Sequence, residues 1–100
     1  MVLRDLGGYE NLMRAAKELE ISLASDMKNF GQEHAQTVIL RLNLAVLLYD
    51  LHGKNNLLFA HKHLTEALPL AMHHYGGNHS LTTSVKSWLK KVEDDLEKGE

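Results

Sequence analysis

The chain has 100 residues, no cysteine, a single proline and a formal net charge of −2. That length fits one domain over residues 1–100, and the near-neutral balance leaves no field of one sign to hold nucleic acid or an anionic membrane, so neither is an expected partner. The longest apolar stretch, Val38 to Leu51, is broken by Arg41, Asn43 and Asp50, which excludes a membrane span needing ~20 apolar residues. An acid at Asp5 interrupts what would be the apolar part of a signal peptide, and a cytoplasmic address is expected.

Leucine (19) far outnumbers valine plus isoleucine (7), a bias toward helix over strand. Glycines at 7–8, 31, 53 and 76–77 then divide the chain into four predicted helices, roughly 9–29, 34–51, 55–75 and 80–98. Ahead of the first, Val2, Leu3 and Leu6 read as the tail of a preceding helix ended by Gly7-Gly8. The segment 9–29 carries one apolar stripe of Tyr9, Leu12, Ala16, Leu19, Leu23, Met27 and Phe30. Its bare face implies either a slice of a longer array or a cover such as a homodimer through helix 9–29. Helix 34–51 is apolar around most of its circumference and needs neighbours on several sides. In 55–75, Pro69 predicts a lost backbone bond and a kink near Thr65 to Leu68. The last helix returns to a strict stripe of Leu81, Val85, Trp88, Leu89, Val92 and Leu96, with charges opposite, the pattern of an end cap. Lys91/Asp95 and Asp94/Lys98 stand there at i,i+4.

These elements repeat. A shift of 45 residues lays Gly8–Leu44 on Gly53–Leu89 with 12 of 37 pairs identical, where composition alone gives roughly three. Matched positions include Gly31/Gly76, His34/His79, Thr37/Thr82, Leu19/Leu64 and Met27/Met72, with Phe30/Tyr75 and Arg41/Lys86 as conservative pairs. The units are about 8–52 and 53–98. Connections of two to four residues force consecutive helices antiparallel, and units too small to bury their own faces stack as an all-α, right-handed α-solenoid of antiparallel helix pairs.

The corner Phe30-Gly31-Gln32-Glu33-His34, echoed by Tyr75-Gly76-Gly77-Asn78-His79, resembles that of the tetratricopeptide repeat in its longer, kinesin-light-chain-like form. Thr37, Asn43-Leu44-Ala45, Gly53-Lys54 and Ala67-Leu68 match the same pattern. The period is a few residues longer than usual for that family, and Trp88 stands where the asparagine recurs. The resemblance implies a groove lined by the first helix of each pair, accepting a protein or peptide partner. Carried over position by position, it picks Ile39, Leu42, Val46, Tyr49 and Asp50 on one wall, and Ser87, Lys91 and Asp95, with Ser84 and Asp94, on the other. Ile39, Leu42 and Val46 have the alternative of plain core burial. The second reading of the whole chain is an architectural segment of a larger protein with no free groove.

No catalytic residue, metal or cofactor is expected. The chain has no GxSxG, GxxxxGK[ST] or HExxH motif. His61 and His63, two apart on a helix, point away from each other, and His73-His74 diverge as well. His34 and His79 recur at the repeat corner, where bonding across the turn is the expected role. Trp88 lies on the apolar stripe and reads as core packing before it reads as a ligand platform.

Overall fold

A computed structural model describes residues 2–98, with side chains from Gly8 onward. The chain is all-α: α1 (Val2–Phe30), α2 (Gln36–Leu51), α3 (Lys54–Tyr75) and α4 (Ser80–Glu97), with no strand among the described residues. No described helix is long and apolar enough to cross a membrane. Side-chain partners show consecutive helices running antiparallel. Thr82 at the start of α4 bonds Ala71 near the end of α3, whereas His61, ten residues earlier on α3, meets Glu93 far along α4. Across α2 and α3, Arg41 meets His63 and Glu66, while the turn between them takes only His52 and Gly53.

The two glycine corners behave as the pattern requires. Gly31 and Gly76 take φ of +92° and +88°, a region cheap only for glycine. There the Gly31 N–H closes on the Met27 carbonyl at 2.9 Å and the Gly76 N–H on the Met72 carbonyl at 3.0 Å, ending α1 and α3. Gly53 at φ +90° lets α3 start immediately after α2.

Gly7-Gly8 does not divide the chain. Helix α1 runs through it unbroken from Val2, so the predicted break there is corrected. Glycine ends a helix by adopting positive φ, and Gly8 does not; in helical conformation it costs only ~1 kcal/mol relative to alanine. The side chains of Val2, Leu3 and Leu6 lie outside the described residues. At 29 residues and 1.5 Å per residue α1 is ~43 Å long, and it sets the longest of the molecule's extents, 42 × 31 × 21 Å. Helix α3 likewise continues through Pro69, whose ring is on the exposed side.

The core centres on α2. Val38, Leu44 and Ala45 are essentially sealed from solvent, and α2 packs on α1, α3 and, along a shorter line, α4, the several neighbours its all-round apolar sequence demands. Helix α3 brings Leu64 between Ala60, Ala67 and Ala71, all fully buried. Small side chains at 67 and 71 let α4 approach closely enough for the Thr82 hydroxyl to donate to the Ala71 carbonyl at 3.2 Å. Helix α4 buries Val85 and Val92 and presents Lys90, Glu93 and Asp94 to solvent. Helix α1 is the least covered. Ala16 and Leu23 are buried, but Ile21 is 61% and Phe30 65% exposed, and Tyr9 and Met13 are exposed too, so the ends of its predicted stripe, Tyr9 and Phe30, are not core.

Candidate functional site

Tyr49, Asp50, Trp88, Lys91 and Asp95 meet where the C-terminal half of α2 faces α4. Tyr49 and Trp88 pack edge-on at 5.3 Å between ring centroids with planes at 68°, a geometry worth ~0.5–1.5 kcal/mol beyond the area it buries. The Lys91 ammonium lies over both rings, 5.5 Å from the Tyr49 centroid and 6.0 Å from that of Trp88. The Asp95 carboxylate beside the Tyr49 hydroxyl, then partial burial and the negative charge of Asp50, hold the phenol above its ordinary pKa of 10.0. The phenol is therefore a neutral donor across the physiological range. One turn on, His52, Gly53, Leu57, Asp95 and Lys98 line a cleft of about 390 Å³.

The sequence places residues at this patch because α2 and α4 occupy equivalent positions in the repeat. Tyr49 sits in the last turn of α2; Trp88, Lys91 and Asp95, spaced by three and four, share one face of α4. The expected i,i+4 pairs Lys91/Asp95 and Asp94/Lys98 do not form among the described residues. Lys90 and Asp94 approach to 4.0 Å instead, and Lys91 turns to the rings.

Of the ten groove residues expected from sequence, Tyr49, Lys91 and Asp95 are brought together, with Asp50 exposed beside them, while Ser84 is half-buried and Asp94 faces solvent. Ser87 is exposed on α4. Leu42 is 8% exposed and belongs to the core, so its plain burial is the correct alternative. Val46 is half-buried and packs against that core, while Ile39 is half-buried outside it. Trp88 is half-buried, packed on the core with one edge and on Tyr49 with the other.

His61, His63 and His74 each bond to another segment, and the His73 and His74 rings, expected to diverge, instead meet edge-on at 5.0 Å between centroids. His61 Nε2 lies 3.0 Å from the Glu93 carboxylate, and His63 Nδ1 lies 3.0 Å from Arg41, so the two face different helices. His74 Nε2 donates to the Glu33 carbonyl at 2.7 Å across the first corner. Among the described residues no three of histidine, aspartate and glutamate converge as a metal site requires.

Sequence reasoning passed over Arg41, treating it as an interruption of an apolar run. It is 7% exposed. Its guanidinium donates to Glu66 at 2.6 Å and to the His63 ring nitrogen at 3.0 Å, and touches the Met27 sulfur at 3.4 Å. Accepting that bond requires neutral imidazole; burial first, then the Arg41 charge, pushes the His63 pKa below its ordinary 6.5, with Lys62 acting in the same sense and Glu66 opposing. The available signal was an arginine surrounded by leucines on a helix without a polar face, a setting in which a charge is paired or absent. Compared with protein-family models, curated proteins and solved structures, the chain matches none.

Proposed function

We propose that the chain is a protein-interaction module, a tetratricopeptide-like solenoid of antiparallel helix pairs that takes an extended peptide or partner helix along the face shared by α2 and α4. The observation that carries this reading is the gathering of Tyr49, Asp50, Trp88, Lys91 and Asp95, from two helices and at least 38 residues apart across them, into one partly exposed patch beside an open cleft. Aromatic faces with flanking charges of both signs suit a ligand with an apolar anchor and polar neighbours. No step of bond chemistry is assigned to it. A random dodecapeptide display library selected on the chain tests the proposal. Wild type enriches a shared motif, and Asp50→Lys with Lys91→Glu, both exposed positions, abolishes the enrichment while circular dichroism stays helical. Equal enrichment by the double variant overturns the groove.

A second reading, an architectural segment seated against other helices or a second copy, draws on the exposure of Tyr9, Met13, Ile21 and Phe30 along α1. Light scattering at about 100 µM separates the two covers, since a 1 µM homodimer constant, −8.2 kcal/mol, leaves little monomer at that concentration. A strict monomer removes the homodimer.

A further inference from the structure

We propose that the Tyr49–Trp88 pair, flanked by Asp50 and Asp95, is a seat for a cationic lysine or arginine side chain of the partner, and that Lys91 occupies it when no partner is present. This rests on the α2–α4 face being the binding face.

Three observations converge on a cation. First, the seat already holds one: the Lys91 ammonium lies over both rings, although Asp95 stands at the i,i+4 position where a simple helix ion pair would form. A quaternary or primary ammonium over an aromatic face is attracted by the ring quadrupole, and an anion is repelled. Second, the acids around the rings are not consumed by the chain's other bases. Glu93 is engaged by His61 at 3.0 Å and Asp94 by Lys90 at 4.0 Å, whereas Asp50 and Asp95 make no ion pair among the described residues. Lys98 lines the cleft beside Asp95. The formal charges of Asp50, Asp95, Lys91 and Lys98 cancel, and with Lys91 swung out one negative charge is left over. Third, Lys91 is exposed and holds its position through an exposed cation–π contact, so an incoming cation displaces it at a cost of only about two- to fivefold in affinity. The long flexible stem of lysine lets it leave without moving α4.

The seat therefore selects a basic side chain, and Lys91 sets a threshold that weak or anionic ligands do not cross. Trp88 is the only tryptophan, so its emission reports the seat directly. The first experiment titrates wild type and Lys91→Ala with tetramethylammonium chloride against sodium chloride of equal ionic strength. Lys91→Ala shows a saturable change in Trp88 emission at about 0.1 M, two- to fivefold tighter than wild type, and adding Asp95→Asn to it weakens the response severalfold. Lys91→Met, which keeps the stem, serves as a second vacated seat and behaves as Lys91→Ala does. Absence of a saturable, tetramethylammonium-specific change in wild type and both vacated seats overturns the proposal. A response untouched by Asp95→Asn overturns the role given to the carboxylate.

The second experiment uses peptides enriched from the dodecapeptide library. A lysine or arginine recurs at one position, its replacement by glutamine costs about tenfold, and that cost shrinks in Asp95→Asn. Enriched peptides without a fixed basic position overturn the seat and leave the groove standing. Failure to enrich any peptide overturns the groove, while the tetramethylammonium titration still judges the seat.

Discussion

The two corners of the molecule begin alike and finish differently. Residues 26–37 and 71–82 share a glycine at φ near +90°, a backbone closure of 2.9 or 3.0 Å onto a methionine carbonyl, and an aromatic ring against a histidine at 4.7 or 4.8 Å. Past that point they diverge. His34 Nδ1 turns back 3.1 Å to Asp26 on α1, leaving α2 with no side-chain cap. His79 Nδ1 instead accepts the Leu81 N–H at 3.0 Å and caps α4. The position equivalent to Asp26 is Ala71, which offers only its carbonyl, and the Thr82 hydroxyl takes that. Identical repeat residues thus have different jobs because one partner changed, and local repetition does not guarantee equivalent bonding.

The widest divergence is between Arg41 and its repeat counterpart Lys86, one buried and triply engaged, the other exposed. Arg41→Ala is expected to cost about 2–3 kcal/mol in urea unfolding, and Lys86→Ala less than about 0.5 kcal/mol; equal effects would show that the burial of Arg41 carries no weight. Next come Gly31→Ala and Gly76→Ala. An added Cβ meets nothing within 4 Å at either site, so the whole cost is backbone strain, about 1–2 kcal/mol and the same at both. A twofold difference between them would mean the corners are not conformational equivalents.

His79→Ala removes a helix cap and should cost about 1 kcal/mol, more than His34→Ala, whose side chain is 39% exposed and caps no helix. Reversed order in thermal denaturation would refute the different roles assigned to the two rings. The smallest effect depends on pH. Because the fold holds His63 below its ordinary 6.5, the unfolded chain takes up the proton first. The stability present above pH ~6.5 declines on acidification and levels off once the folded ring is protonated as well. The urea midpoint of wild type should therefore fall between pH 7 and 5 by more than that of His63→Gln. Parallel curves would remove the neutral ring from the Arg41 cluster.

The helices and their corners were legible in residues 9–98. Glycine positions, leucine excess and the 45-residue period carry that information locally, since helix periodicity and positive-φ glycine act within a few residues. The one misplaced boundary, Gly7-Gly8, shows the limit of the glycine signal: glycine permits a left-handed turn without requiring one. The patch between α2 and α4 was legible only in part. Tyr49 and Asp50 came through the family resemblance, Lys91 and Asp95 through the 45-residue shift, but α2 is apolar nearly all round, so its sequence has no polar face to tell buried from exposed positions. Leu42 turned inward and Val46 halfway for reasons that lie in α1 and α3.

Short connections and local periodicity are enough to specify an all-α chain of two sequence-related units with antiparallel neighbours. The fold, and no spacing along the chain, buries Arg41 against His63 and Glu66, 22 and 25 residues away, and sets Lys91 over the rings of Tyr49 and Trp88, leaving Asp95 with no ion pair among the described residues. Those partners are chosen by desolvation and by the close approach of α2, α3 and α4, quantities that depend on distances across the fold and leave no trace in the spacing of residues along one helix.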